Sequence, residues 1–341
     1  MLRLPEFEYH RPDTLEEAAG LLADYGPAAV PIAGGTDVLP KMKRKQVRPE
    51  AVVSLAGIAG AAGISPAGDG LEIGGQATLE RVATHGTVQD RYQALAEAAG
   101  AVATPSIRRM GTIAGNLCQD PRCDKYDRPL DWRESVGYCW KAPGPDGYPP
   151  GDVTEEEVPC RTAPGTGRCW ANYSSDTAPA LIALGAEVRL VGDDGERILP
   201  LADLFIDSGL DPLAKDHHEL LAEITLPPAN GMQSTYRKFA PRESFDFPEV
   251  GVAVSVEQDD DGIVRDAAIV FTAVGSRPLV AEVAGEKLIG ERPTADLLEA
   301  VGDRASRGTR PMDNTAVHPT YRKQVGGVYT TRALESLLTL A

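Results

Sequence analysis

Five cysteines stand at 118, 123, 139, 160 and 169, all within one stretch of a 341-residue chain. Four thiolates in one irregular segment can bind a zinc ion or a 4Fe–4S cluster. Paired Cys-x-x-Cys knuckles, the usual zinc signature, are missing. Widely spaced single cysteines fit a cluster enclosed by a wrapping loop better than they fit zinc. An odd count, in a chain that opens Met-Leu-Arg-Leu-Pro-Glu-Phe-Glu without a basic and then apolar leader, argues against a disulfide framework. Buried free thiols are the plainer alternative, but five in one segment are an odd way to build a core. Trp132, Trp140 and Trp170, with Tyr126, Tyr138 and Tyr148, are placed to shield a cluster from water and tune its potential.

A second chemistry is carried by glycines. In Ala33-Gly34-Gly35-Thr36-Asp37 the adjacent glycines follow a short apolar run. They can adopt backbone conformations closed to other residues and leave amide groups free to meet an anion. A helix start adds positive dipole character, which together suits a pyrophosphate. A tight turn is the plainer reading of a lone Gly-Gly, and the spacing is not that of a Rossmann fingerprint. Gly111-Thr112-Ile113-Ala114-Gly115-Asn116 supplies a second glycine-rich turn. Two such loops after strands can clamp one diphosphate, with Thr112 and Asn116 adding side-chain hydrogen bonds. Asp37 and Asp176 are candidate acceptors for ribose, ribityl or ring groups. Asp176 serves equally well as a helix N-cap. Lys238 and Arg242 can face the negative charge of a reduced flavin, although a solvated edge strand is the preferred reading of that segment.

The elements that must position these residues are legible in pattern. Thr14 with Glu17 forms a capping box for a first helix, with Ala18, Ala19, Leu21 and Leu22 on its buried face and Gly26 at its stop. Short strands are expected over 28–32, 52–55 and 71–78, the last with a kink at Gly74-Gly75. Helices are expected over 78–84 and 92–102, with Pro105 ending the second. Residues 118–170 lose all periodicity; a loop that long needs a function or a staple of its own. Patterning resumes with a helix over 176–184 and a hairpin turning at Asp193-Asp194-Gly195. The breaker cluster Pro227-Pro228-Ala229-Asn230-Gly231 marks a boundary, giving domains of 1–228 and 229–341. Beyond it, strands over 234–239, 250–257 and 267–274 precede helices over 294–301 and 331–340, an α+β arrangement.

Composition is that of an ordinary globular protein, 42% hydrophobic and 25% charged. Net charge of −16 repels nucleic acid and anionic membranes. No apolar run reaches membrane-spanning length. The histidines show no metal-ligand spacing, and no Ser/His/Asp nucleophile arrangement stands out.

These motifs together resemble the FAD-binding medium subunits of the xanthine dehydrogenase family of molybdenum hydroxylases. Ala33 to Asp37 resembles the family's first FAD loop. Thr112-Ile113-Ala114-Gly115-Asn116 resembles its second, usually T-I-G-G-N, with Ala114 replacing a glycine. Asp176-Thr177-Ala178-Pro179-Ala180-Leu181 and Tyr236-x-Lys238 resemble two further family stretches. The resemblance implies an α/β FAD-binding PCMH-type domain of two subdomains, followed by a smaller α+β domain with an antiparallel sheet. It implies FAD contacts at Pro31, Ile32, Ala33, Gly34, Gly35, Thr36, Asp37, Val38, Val102, Thr112, Gly115, Asn116, Asp176 and Lys238. Ordinary members pass almost directly from the second loop to the Asp; here about 118–171 intervenes. That insertion resembles the one in the beta subunit of 4-hydroxybenzoyl-CoA reductase, which holds a 4Fe–4S cluster. Carried over, the cluster ligands are Cys123, Cys139, Cys160 and Cys169, and Cys118 is not one. The partners implied are a molybdopterin-binding large subunit and a 2Fe–2S small subunit, with an electron donor such as ferredoxin, in the cytoplasm. The role implied is electron relay, with substrate chemistry on the partner, in a reductive dehydroxylation or, alternatively, an oxidising hydroxylation. A flavin-free scaffold with structural zinc is the reading from another class.

Overall fold

The computed structural model describes residues 3–144, 156–242 and 244–340. A small parallel sheet comes first, in the order β1-β3-β2, from β1 (Glu8–His10), β2 (Ala29–Ile32) and β3 (Ala51–Ser54). Helix α1 (Leu15–Tyr25) covers it with Ala18, Ala19 and Leu22 buried. Thr14 caps α1 by accepting the Glu17 amide at 3.1 Å. The Glu17 carboxylate takes the Asp13 amide rather than that of Thr14, so the box closes one residue early. Gly26 ends the helix at φ +54°. Helix α2 (Val38–Lys43) follows the first glycine loop.

The second layer is a five-stranded antiparallel sheet in the order β4-β5-β8-β6-β7. It comprises β4 (Ile64–Ala67), β5 (Gly70–Gly74), β6 (Glu187–Gly192), β7 (Gly195–Pro200) and β8 (Leu220–Leu226). The strand expected over 71–78 stops at Gly74: the Gly75 amide turns to the Ala222 carbonyl, and a methyl group on Gly75 would sit 2.4 Å from the Leu221 carbonyl oxygen. Strand β8 is not among the strands expected above and fills the centre of the sheet. Helices α3 (Leu79–Thr84), α4 (Gly86–Arg91) and α5 (Gln93–Gly100) pack on it. Pro105 does not simply end a helix. It opens the short α6 (Pro105–Arg108), where its missing amide costs nothing.

The third layer is a four-stranded antiparallel sheet, β12-β11-β10-β9, from β9 (Gln233–Phe239), β10 (Val250–Gln258), β11 (Val264–Thr272) and β12 (Leu279–Val280). Helices α10 (Glu282–Gly285), α11 (Ala295–Arg307) and α12 (Pro319–Leu337) cover one face. Helix α12 starts well before the expected 331, because the half-apolar run after Pro319 is still helical: two glycines, Gly326 and Gly327, sit inside it where α11 and the sheet come close. The other face meets α5 and α9 (Thr177–Ala183) through Ala94, Ala98, Ala180, Ala183, Tyr236 and Ala253. These small side chains let the helices lie close to the sheet. The mixed helix–sheet class with a C-terminal antiparallel sheet is as expected.

The insertion leaves this body after α7 (Ile113–Leu117) and returns before α9. Its neck is closed by a pair of backbone hydrogen bonds between Arg122 and Asn172, at 2.7 and 2.6 Å. It is not wholly irregular, since α8 (Leu130–Val136) lies inside it and ends at Gly137 with φ +80°.

Candidate functional site

The two glycine loops touch. Gly34 packs so closely that a methyl group on it would lie 1.8 Å from the Met110 carbonyl oxygen and 2.9 Å from the Gly111 nitrogen. Gly35 has φ +70°, which glycine adopts without strain. Pro31 and Ile32 end β2, Ala33 to Asp37 turn the chain, and Val38 starts α2, all partly exposed except Thr36, which is open to solvent. The second loop is not a turn after a strand. It follows α6 and enters α7, where Thr112 is the N-cap and its hydroxyl accepts the Gly115 amide at 3.1 Å. Asn116 turns its side-chain oxygen inward, accepting from the hydroxyls of Ser175 and Thr177, each at 2.7 Å. It therefore fixes the start of α9. Gly115 is exposed beside it.

Asp176 and Lys238 meet, although they are 62 residues apart. The Lys238 ammonium donates to the Asp176 carboxylate at 3.1 Å and to the Ala101 carbonyl at 2.9 Å, next to the half-buried Val102. The Tyr236 hydroxyl donates to the other carboxylate oxygen at 2.7 Å. Burial pushes the Asp176 carboxyl above its ordinary value; Lys238 and Tyr236 oppose that. The expectation of a solvated edge strand fails for Lys238, whose side chain is 12% exposed. Strand β9 is an edge, but α5 covers it, and Glu97 on that helix accepts from the Tyr236 amide at 2.7 Å. Nor does the Asp176 side chain cap α9; the hydroxyl of Ser175 does, accepting the Ala178 amide at 3.1 Å. Arg242 pairs with Asp246 at the surface.

Cys123, Cys139, Cys160 and Cys169 line one cavity, together with Tyr126, Trp140 and Lys141. Cys118 is elsewhere, against the core of the five-stranded sheet. No three sulfurs of the four come within 4.8 Å of one another. A zinc tetrahedron with bonds of about 2.3 Å draws its sulfurs to about 3.8 Å apart. Donors aim at the sulfurs: the Ala171 amide reaches Cys169 at 3.4 Å and the Thr162 hydroxyl stands 3.6 Å from Cys123. Burial pushes the Cys123 thiol up to about 12 and Cys169 to about 11. Thiols so raised become thiolates only against a strong local positive charge such as a metal's. The Tyr126 hydroxyl beside the cavity is buried without a partner. The donor set thus fits a metal–thiolate cluster. Of the expected shield, Tyr126 and Trp140 line the cavity. Trp132 and Trp170 lie under Arg128 and Arg168, at 5.4 and 4.0 Å, and the Tyr138 hydroxyl reaches Glu134 at 3.4 Å. Tyr148 lies outside the described residues.

A buried ionic chain runs between the cavity and the first glycine loop. Asp120 accepts from Lys141 at 2.7 Å and from Lys41 on α2 at 2.6 Å. Burial opposes ionisation of Asp120, but Lys141 and Lys41 outweigh it and hold the carboxyl at about 2. Asp37 pairs closely with Arg122 and lies 3.8 Å from Lys41, which ties the first glycine loop to the insertion's neck. Three further residues hold the cavity in place. Lys141 also donates to the Gly209 carbonyl at 2.5 Å. A methyl group on Gly209 would lie 2.8 Å from the Cys169 sulfur. Asn314, from the C-terminal layer, donates to the Trp170 carbonyl at 2.6 Å and accepts the Asp124 amide at 2.9 Å, gripping the residues that follow Cys169 and Cys123. Pattern reasoning passes over all of them. Lys141 carried the one available signal, a charged residue two positions after a cysteine in an otherwise apolar run.

Comparison with known proteins adds family evidence. Residues 5–229 match the model for the FAD binding domain in molybdopterin dehydrogenase, and residues 234–337 match that for the CO dehydrogenase flavoprotein C-terminal domain. The chain is 29% identical to the carbon monoxide dehydrogenase medium chain of Afipia carboxidovorans, over 96% of both. It is 30% identical to the FAD-binding subunit of an aldehyde oxidoreductase of Escherichia coli (strain K12), over 98% of both. Among solved structures, carbon monoxide dehydrogenase from Hydrogenophaga pseudoflava superposes with a TM-score of 0.78 at 26% identity, over 98% of each chain. No helix among the described residues is long and apolar enough to cross a membrane.

Proposed function

The chain belongs to the family of FAD-binding medium subunits of molybdenum hydroxylases, and on that premise we propose that it is the electron-relay subunit of an oxidising enzyme of this kind, with an additional 4Fe–4S cluster. Its FAD-binding domain is residues 1–228 and its C-terminal domain 229–341. The partners are a molybdopterin-binding large subunit, which holds the substrate, and a 2Fe–2S small subunit. The observation that carries the reading is that four cysteines far apart in sequence line one cavity, within a chain matched to this family from end to end.

FAD, when bound, supplies one- and two-electron chemistry; the protein supplies position and electrostatics. Backbone amides around Gly34 and Gly35 are the groups available to a diphosphate, whereas the Gly115 amide is taken by the Thr112 hydroxyl. The contact of Gly34 with Met110 and Gly111 holds both loops in register for that task. The Asp176–Lys238 pair places a cation beside Ala101 and Val102, at the junction of the two domains. Cys123, Cys139, Cys160 and Cys169 are the ligand set for the cluster, and the amides around them stabilise thiolate. A cytoplasmic setting keeps such thiols reduced before a cluster is loaded.

A second reading is favoured by the cysteine cavity itself: a subunit of the 4-hydroxybenzoyl-CoA reductase type, receiving electrons from a donor such as ferredoxin. Anaerobic purification settles the cofactors. We expect flavin absorbance with about four irons and four sulfides per chain. Zinc without iron would sink the cluster, and a colourless protein would sink the relay. Direction follows from turnover of the assembled enzyme. Oxidation of carbon monoxide, an aldehyde or a purine supports the first reading; reduction of 4-hydroxybenzoyl-CoA by a low-potential donor supports the second.

A further inference from the structure

Lys141 is the residue of the cavity whose position goes beyond holding a loop. Three cations line the cavity: Lys125, Lys141 and Arg161. Lys125 is 34% exposed and paired with Asp124 at 3.0 Å. Arg161 is exposed and donates to the carbonyls of Gly137 and Tyr138. Lys141 alone of the three is buried, with 1% of its side chain exposed. Its ammonium lies 5.2 Å from the centre of the Tyr126 ring and is fixed by the Asp120 carboxylate and the Gly209 carbonyl. Gly209 in turn donates its amide to the Cys169 carbonyl at 3.2 Å.

Other charged groups stand around it. Asp120 is shared between two lysines, Lys141 and Lys41, and Asp37 is already held by Arg122. Nearby Arg133, also 1% exposed, gives one amine to the carbonyls of Arg44 and Lys45 and leaves two nitrogens without a partner. A buried cation is stabilised by each anion that faces it. Four thiolates on an iron–sulfur core supply that anion, and each electron added to the core makes it more negative. At Cys169 the charge of Lys141 is the largest influence opposing the effect of burial.

We propose that Lys141, held by Asp120, is the potential-setting counter-cation of the four-cysteine site, raising the reduction potential of the cluster bound there. The proposal rests on the cluster reading above. A fixed positive charge in a water-poor cavity favours the reduced, more negative state. Because Asp120 also holds Lys41 on the helix that follows the first glycine loop, the same ion chain joins the cluster site to the flavin side.

The test uses the full-length chain purified anaerobically and titrated with dithionite, which gives one electron to the cluster, followed by electron paramagnetic resonance. Wild-type protein with no iron–sulfur signal removes the cluster reading, and this proposal with it. With the signal present, Lys141→Met is expected to make reduction at least tenfold harder, a lowering of about 59 mV for a one-electron couple. Lys141→Arg, which keeps the charge, is expected to restore most of it. Asp120→Asn removes a negative charge and leaves both lysines, so the potential is expected to rise. Opposite signs support a charge effect. The proposal is overturned if both neutral variants shift the same way, or if neither shifts while iron content and signal match wild type. Loss of the cluster from Lys141→Met, with Lys141→Arg equally empty and Asp120→Asn unshifted, also overturns it. Flavin content serves as the control and is expected to stay constant.

Discussion

Two buried ionic groups sit at either side of the same glycine loops, and they are built on different ratios. Asp176 faces one lysine and one tyrosine hydroxyl; charge and hydrogen bonds balance, and the group is closed. Asp120 faces two lysines, beside an arginine with unpaired nitrogens and a cavity of four thiols. The first group is a joint between layers: α9 supplies the acid and β9 the base. The second links the first glycine loop's helix to the cysteine cavity through Lys41 and Lys141. The two acids also differ in burial, Asp176 being 3% exposed and Asp120 20%.

The largest effect should come from breaking the balanced group on one side. Asp176→Leu leaves Lys238 buried and unpaired, and a loss of about 3–5 kcal/mol is expected by chemical denaturation. The double change Asp176→Leu with Lys238→Met should recover most of that, since a balanced pair is replaceable by apolar volume. A double variant as unstable as the single one would show that the pair does more than join.

Acid distinguishes the groups next. The Asp120 carboxyl is lowered from 3.8 to about 2, so its contribution is complete above pH 3.8 and lost as pH falls through about 2. That contribution is about 2 kcal/mol. Asp176 is shifted the other way, so its protonation in the folded state begins above its ordinary range and does not add to that loss. Stability of wild type and Asp120→Asn, followed between pH 5 and 2, should converge at the acid end. A constant gap would refute the assignment.

The smallest effect concerns the tie between insertion and C-terminal layer. Asn314→Ala leaves the Trp170 carbonyl without its donor, and about 1 kcal/mol is expected, seen as a lower melting temperature with unchanged flavin content. Equal melting temperatures would mean that the insertion stands without this grip.

The architecture was largely legible because its signals are local. Thr14, Thr78 and Thr294 cap helices where pattern places them, and the alternating runs around 234–239 and 250–257 are strands. Strand β8 was passed over, although Ala222, Ile224 and Leu226 alternate with Glu223 and Thr225, because the alternation is short and runs straight into Pro227-Pro228. The cysteine grouping could be read from chemistry that only thiols perform. The roles of Asn116, Asp37 and Lys238 could not: each depends on a neighbour 60 or more residues away, Thr177, Arg122 and Asp176. Lys141 and Asn314 are ordinary residues made special by a cavity, and a cavity has no spacing rule.

The Arg122–Asn172 neck bears on how such a chain acquires new parts. Two backbone hydrogen bonds bring the ends of roughly fifty residues side by side, and closing a loop of that size costs only about 2 kcal/mol more than closing a tight turn. The neck alone does not carry the insertion: Lys41, Gly209 and Asn314 tie its far side back to the body, so a shortened chain would have to re-satisfy each of those groups.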